Sequence, residues 1–535
     1  MATGEATVTG ASGGDVGWPL RRAARLYGSS EAIVDGQRTV SYAELGQRVG
    51  GLCAGLEQLG VPSGGRVGFL GVNSLAHVEC ALGVPAAGRV LVDLNFRLAE
   101  AELAFIAADC DLEVLVVDRT QLDVARSLRA SCPSLTQLVL DDADSCPADC
   151  VPYEQLVGRD PIEPPAIDDD ALATISYTGG TTGTPKGVML SHANLLANAR
   201  HNLIATGHTH ADRWLHVCPM FHVAGTANVF ACTWVGASQI VLPRFDAGRV
   251  VETVRLQSVT HTVLVPTMIA MLLDELNDQS LSQLSSLRHI QYAASPISPS
   301  LQRRLLASFH GDIAQFYGMT ETAPTVSHLT PEDHRRGSAG EQPYAARLRA
   351  IGAPVVGVEA EVRGPDGRLL PPGEIGELWV RGPNVMLGYW NRPDITDAAL
   401  AGGWYHTGDA ARADQDGYLY LVDRLKDMII SGGENVYSVE VEAALQEHRG
   451  VREAAVFGIP DAHWGEAVHA IVVVDTTSSV TAQELVEHCR GLIAGYKVPR
   501  SVDVRTEPLP KSGAGKLLKN RLREPFWADH DRRIN

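Results

Sequence analysis

Tyr177-Thr178-Gly179-Gly180-Thr181-Thr182-Gly183-Thr184-Pro185-Lys186-Gly187 holds four glycines, four threonines and a lysine in eleven residues. An ordinary turn needs no such composition. Glycines let backbone N–H groups close around phosphate oxygens, threonines add hydroxyl donors and Lys186 adds a positive charge. The preceding run, Leu172 to Tyr177, alternates apolar and polar residues as a strand does. Val188-Met189-Leu190 follows and leads to Ser191, a predicted N-cap for a helix over Ala193 to Arg200. The loop is not a Walker A motif, which sets Gly and Lys side by side before Ser or Thr; here Pro185 precedes Lys186 and Gly187 follows. Two readings stand on these residues alone, a phosphate cradle and a flexible Gly/Thr surface loop.

Outward from the loop, 535 residues exceed one hydrophobic core and imply several compact units. A hydrophobic content of 45% with 20% charged residues is that of a soluble globular chain. The net charge of -18 argues against a nucleic-acid partner, which is gripped by clustered Lys and Arg. Nine scattered cysteines, an odd number without disulfide-framework spacing, read as reduced cytoplasmic thiols. Residues 1–14 read as a disordered tail without the basic and apolar regions of a signal peptide, and no apolar run approaches the ~20 residues of a membrane span. His208-Thr209-His210 reads as a solvated loop.

Toward the N-terminus, Glu31 to Ser41 reads as a hairpin on Asp35-Gly36, followed by a helix capped by Ser41 and Glu44 and ended by Gly60. Strand-like runs Arg66 to Leu70, Arg89 to Val92 and Glu113 to Asp118 alternate with helices over Ser74 to Leu82 and Ala99 to Ala108. That alternation predicts a doubly wound parallel α/β architecture. Near the C-terminus, strands over Ala454 to Ile459 and Val468 to Val474 and a helix over Thr481 to Ile493 predict a smaller α+β unit.

Downstream segments carry legible chemistry. Gln315-Phe316-Tyr317-Gly318-Met319-Thr320-Glu321 offers Glu321 as a Mg²⁺ ligand, since Mg²⁺ prefers carboxylate and phosphate oxygens. Thr407-Gly408-Asp409 offers a carboxylate suited to a ribose diol, and Arg424 a charge-assisted contact. Pro510-Lys511-Ser512-Gly513-Ala514-Gly515-Lys516 presents a lysine of long reach on a glycine-bearing loop, able to offset charge developing between a carboxylate and a phosphate. Each has a plainer reading in isolation: a structural glutamate, a surface salt bridge, a solubilising lysine.

Taken together and in this order, the segments resemble the adenylate-forming superfamily of acyl-CoA synthetases, peptide-synthetase adenylation domains and luciferases, over nearly the whole chain. The family loop Y-T-S-G-T-T-G-x-P-K-G is matched with one departure, Gly179 in place of Ser. The resemblance implies a large N-terminal AMP-binding domain over 15–425, built of doubly wound α/β subdomains. A small mobile α+β domain over 426–535 follows, joined by a hinge at Lys426. It also implies a ligase that converts a fatty or aromatic acid to acyl-AMP with release of pyrophosphate, then passes the acyl group to coenzyme A. ATP, Mg²⁺ and coenzyme A are the implied cofactors. A homodimer and a carrier protein acting in trans are further implied partners. Lys516, Thr320, Glu321 and His222 would be catalytic, with His222 gating the border of the acyl pocket and Glu321 holding the metal. The nucleotide and acyl group would meet Thr178, Gly179, Gly180, Thr181, Thr182, Gly183, Lys186, Ala294, Ser295, Pro296, Tyr317, Gly318, Met319, Asp409, Arg424 and Lys426. Gly432, Gly433 and Glu434 would line the thioester tunnel. Ala293 and Ala294 replace glycines of the family's pocket wall, favouring a small, medium or aromatic acid. Alternatives are transfer to a carrier protein or a non-thiol nucleophile, and a catalytically silent nucleotide-binding regulator.

Overall fold

Apolar runs too short for helices and rich in β-branched residues become the central strands. Val67, Phe69 and Leu70 of Arg66–Leu70 are buried, as are Val114 to Val117 of Val114–Asp118. Both faces of these strands must therefore be covered, the condition under which parallel sheets form. The computed structural model describes residues 14–142, 145–178, 185–276, 284–295, 297–424, 427–432, 434–461, 463–475, 480–511 and 517–527. Of the residues singled out above, Gly179, Gly180, Thr181, Thr182, Gly183, Pro296, Lys426, Gly433 and Lys516 lie outside them.

Two large sheets with parallel cores dominate the chain up to residue 424. One is eight-stranded, in the order Gly388–Tyr389, Lys186–Ser191, Leu172–Thr178, Val90–Leu94, Arg66–Leu70, Val114–Asp118, Gln137–Asp141 and Val151–Pro152. The other is nine-stranded, and its parallel centre runs through Glu31–Asp35, Ser238–Val241, Arg213–His216, His261–Leu264, His289–Tyr292 and Asp312–Gly318. Antiparallel strands close its edges. The expected hairpin on Asp35-Gly36 is present, with Gly36 at φ 59. Ser41 caps the helix Tyr42–Gln58 by accepting from the Glu44 N–H.

The chain goes beyond the sequence reading or departs from it at three places. The run after the phosphate loop, which the sequence reading left unassigned, is a strand: Leu172–Thr178 and Lys186–Ser191 pair antiparallel as the arms of a hairpin, with Thr178 opposite Lys186. Only then does Ser191 cap the helix His192–Thr206, in a capping box completed by Asn194. The second departure is a four-stranded antiparallel sheet of Glu359–Arg363, Gly376–Arg381, Tyr405–Ala413 and Leu419–Arg424, which the alternating pattern of the N-terminal half did not announce. The third is His208, which is buried rather than solvated. Its ring lies 4.9 Å from that of Trp214 and 4.5 Å from that of His261, tilted against both, an aromatic cluster whose burial outweighs the polarity of the segment.

Beyond residue 428, the long antiparallel pair Val451–Asp461 and Gly465–Val474 packs with the helices Ser438–Gln446 and Ala482–Arg490. Ile429, Val441, Leu445, Val456, Val468 and Leu485 form a core that includes no residue from the large sheets. A separate core is the mark of a separate folding unit.

Candidate active site

The strand Asp312–Gly318 carries its C-terminal end out of the nine-stranded sheet, and the residues that follow turn sharply. Gly318 is required there: a Cβ would stand 1.5 Å from the Pro324 carbonyl oxygen. Close backbone approach, which only glycine permits, folds Thr320–Thr322 back as a short 3₁₀ turn. Thr322 Oγ1 accepts from the Met319 N–H and donates to the Pro324 carbonyl. Asn384 Nδ2 donates to the carbonyls of Thr322 and Thr325 at 2.7 Å each, so the turn is held from both sides.

Tyr317 reaches from the same strand end to Asp409, donating from its hydroxyl to Oδ2 at 2.6 Å. Asp409 lies in the antiparallel sheet directly opposite Arg424, whose Nε is 3.1 Å from Oδ1. Only 3% of Asp409 is exposed, so its carboxylate has lost most of its water before any ligand arrives. Burial, followed by the Asp409 charge, raises the Tyr317 pKa well above the ordinary value and keeps the phenol a donor. Burial opposes the charge of Arg424, but Asp409 together with Tyr317, Asp427 and Glu321 outweighs it and raises its pKa. Each carboxylate oxygen accepts one contact and retains a further lone pair. Two acceptor directions at such spacing suit a vicinal diol.

Glu321 stands on the 3₁₀ turn, half-buried, with Oε1 accepting from the Tyr389 hydroxyl at 3.0 Å. One oxygen carries that bond and the rest of the carboxylate is left for a hard cation, a donor type that fits Mg²⁺. Lys186, at the foot of the hairpin, places Nζ 5.3 Å from the centre of the Tyr389 ring. Thr178, its strand partner, donates from Oγ1 to the Lys186 carbonyl at 3.5 Å.

His222 precedes the helix Val223–Val235, and its ring packs 4.4 Å from that of Phe221. Burial, then the nearby Arg97 charge, lowers its pKa to about 4, so the imidazole is neutral at pH 7. Nε2 is buried without a hydrogen-bond partner among the described residues. Ala294 is exposed at φ 74 and Ser295 follows it, half-buried. The left-handed backbone explains why a glycine would be expected at Ala294. Gly432, at φ 64, packs against Trp464, whose carbonyl accepts the Gly432 N–H at 2.8 Å; Glu434 is exposed on the strand Glu434–Val436. The structure thus brings Tyr317, Asp409 and Arg424 into direct contact, and likewise Glu321 and Lys186 through Tyr389. Sequence reasoning missed Tyr389 and Asn384, because each acts across tens of residues and neither sits in a motif that the sequence reading singled out.

Two parallel-cored sheets, a glycine- and threonine-rich hairpin and a small separate C-terminal unit make the architecture of adenylate-forming enzymes. The chain belongs to the AMP-binding enzyme family, whose model matches residues 20–390, while that of the AMP-binding enzyme C-terminal domain matches 440–516. It is 39% identical over 510 residues to a feruloyl-CoA synthase of Amycolatopsis sp, covering 95% of this chain and 98% of that protein. Among solved structures, the amide bond synthetase McbA from Marinactinospora thermotolerans matches with a TM-score of 0.85 and 31% identity, covering 96% of this chain and 100% of that one. The o-succinylbenzoate CoA synthetase MenE from Bacillus subtilis, in complex with its acyl-adenylate OSB-AMP, matches with a TM-score of 0.82 and 30% identity, covering 97% and 98%.

Proposed function

We propose that this enzyme is an ATP-dependent acid–CoA ligase acting on a fatty or aromatic carboxylic acid. The observation that carries the reading is the Tyr317–Asp409–Arg424 contact beside the turn bearing Glu321. A carboxylate oxygen of the substrate attacks the α-phosphorus of ATP and the bond to pyrophosphate breaks. The thiol of coenzyme A then gives up its proton, its sulfur attacks the acyl carbonyl, and the bond to AMP breaks. A free carboxylate is a poor acyl donor because oxide is a poor leaving group; AMP is a good one. The chain needs to supply position and charge neutralisation rather than a nucleophile of its own.

In this reading Asp409 accepts the ribose hydroxyls, with Arg424 and Tyr317 fixing its orientation. Thr178, the glycines and threonines of 179–183 and Lys186 cradle phosphates. Thr320, with Gly318 and Met319 behind it, faces the phosphate under attack. Ala294, Ser295 and Pro296 flank the adenine and acyl group, and neutral His222 stands at the entrance to the acyl pocket. Mg²⁺, bound with ATP, would be held by Glu321 and would neutralise phosphate charge. Lys516 bridges the attacking carboxylate and the α-phosphate. A swing of the domain 426–535 about Lys426 replaces Lys516 by the 432–434 loop for thioester formation. An aromatic acid is favoured by the likeness to feruloyl-CoA synthase and by the methyl groups of Ala293 and Ala294. The nine free thiols suit a reducing, cytoplasmic setting, and no helix among the described residues is long and apolar enough to cross a membrane.

Pyrophosphate exchange with a panel of acids, followed by AMP release with and without coenzyme A, tests the reaction. Lys516→Ala is expected to abolish acid-dependent exchange while largely sparing thioester formation from supplied acyl-AMP; equal loss of both contradicts the assignment. The likeness to an amide bond synthetase makes an amine the second acceptor to try, and AMP release stimulated by amine but not by coenzyme A would favour it.

A further inference from the structure

The site contains a tyrosine that neither the loop nor the metal-ligand motif includes. Tyr389 closes a two-residue strand, Gly388–Tyr389, laid antiparallel against Val188 and Met189 of the hairpin's second arm. Its neighbours fasten it there: the Leu387 N–H donates to the Met189 carbonyl at 2.9 Å and the Trp390 N–H to the Gly187 carbonyl at 2.7 Å. Three residues before it, the Met386 N–H donates to the Glu321 carbonyl at 2.9 Å. One short segment thus grips both the foot of the phosphate hairpin and the turn carrying Glu321.

The side chain repeats the bridge. Its hydroxyl donates to Glu321 Oε1 at 3.0 Å, and its ring lies beneath Lys186 Nζ at 5.3 Å. Tyr389 is 8% exposed, so its phenol is shielded from water. Burial, then the Glu321 charge, raises the Tyr389 pKa, which leaves the phenol protonated and able to donate. The donor removes one lone-pair direction from Glu321 and fixes the rotation of its carboxylate. The ring face, electron-rich, gives the Lys186 ammonium a seat without neutralising it.

We infer that Tyr389 is a positioning residue for the adenylation half-reaction: it sets the metal-facing carboxylate of Glu321 in register with the phosphate-facing ammonium of Lys186. The inference rests on the ligase reading for its chemistry. Tyr389 touches no reacting atom. It acts by holding two charged groups from different sheets at one separation, as an outer hydrogen-bonding partner does for a metal ligand.

The test compares wild type, Tyr389→Phe, Glu321→Gln and the double variant. Phenylalanine keeps the ring under Lys186 and loses only the hydroxyl. Equilibrium binding of ATP, followed by a fluorescent analogue across a Mg²⁺ titration without acid, is the first readout. Loss of a hydrogen bond to a charged group predicts that Tyr389→Phe raises the Mg²⁺ concentration for half-maximal binding about tenfold. In the Glu321→Gln background the same substitution is expected to change that concentration less than twofold, because partners acting as a unit are not additive. Pyrophosphate exchange is expected to fall while thioester formation from supplied acyl-AMP stays within about twofold of wild type. An unchanged Mg²⁺ dependence in Tyr389→Phe, or an equal effect with and without Glu321, overturns the inference. So does equal loss of both half-reactions accompanied by a lowered Tm, which marks a role in folding alone. Failure of wild type to exchange pyrophosphate with any acid would instead overturn the ligase reading, and the binding titration would still judge Tyr389.

Discussion

Replacing Asp409 by asparagine tests the nucleotide assignment most directly. The carboxylate accepts from Tyr317 at Oδ2, 2.6 Å, and faces Arg424 Nε at Oδ1, 3.1 Å. One lone pair on each oxygen stays available, and two ribose hydroxyls are expected to fill them. A hydrogen bond to a charged group contributes roughly 1.5 to 3 kcal/mol, so removing either hydroxyl from the ligand is expected to weaken binding to wild type at least about tenfold. In Asp409→Asn one oxygen becomes an NH₂ group. The amide oxygen is expected to turn toward the guanidinium, since an NH₂ there would oppose a donor with a donor. The Tyr317 side then loses its acceptor. AMP binding should fall about ten- to a hundredfold, and the penalty for deleting the hydroxyl on that side should shrink to about unity. The assay is equilibrium binding of AMP, 2′-deoxy-AMP and 3′-deoxy-AMP to both proteins, free of complications from the acid. Arg424 is left beside a neutral partner in the variant, which costs on the order of 1 to 3 kcal/mol of stability, so Tm is measured alongside. Undiminished discrimination against both deoxy nucleotides in a folded Asp409→Asn protein would refute the assignment.

Gly318→Ala is expected to push the 3₁₀ turn away from the Pro324 carbonyl, because the added Cβ cannot stand 1.5 Å from that oxygen. Overpacking of about 1 to 3 kcal/mol and a loss of pyrophosphate exchange at least as large are expected from chemical denaturation and exchange assays; a variant as stable and active as wild type would show that the turn yields freely. Acid should weaken the fold through the histidine stack of the nine-stranded sheet. Burial, first among the causes, lowers His208 to about 3, His261 to about 4 and His289 to about 3, against 6.5 for the unperturbed ring. The folded chain therefore binds fewer protons than the unfolded chain below about pH 6.5. Their contribution is complete above that pH and is lost as pH falls toward 4, by up to about 1.4 kcal/mol per histidine per pH unit. Urea midpoints at pH 7.5 and 5.5 check this, and equal midpoints would rule it out.

Much of the architecture was legible because short β-branched runs and capped amphipathic segments leave the local chain few options. The strands Arg66–Leu70 and Val114–Asp118 and the Ser41 and Ser191 caps stand where composition placed them. The hairpin geometry of the phosphate loop was not legible, since Lys186 to Ser191 has the length and apolarity of either a strand or a helix entry until Leu172–Thr178 pairs with it. Nor was the fate of His208, polar by type yet buried by its neighbours.

Within the site, residue chemistry made Asp409, Arg424 and Glu321 candidates, and only the resemblance of their motifs to the adenylate-forming family set the plainer structural readings aside. Their partners were fixed only by folding. Tyr317 and Asp409 are ninety-two positions apart and Tyr389 and Glu321 sixty-eight, and no local pattern announces a hydrogen bond across such distances. Sequence specifies which groups can react and which segments become strands. Tertiary structure decides which of those groups share a lone pair, because that depends on where separate sheets bring their strand ends together.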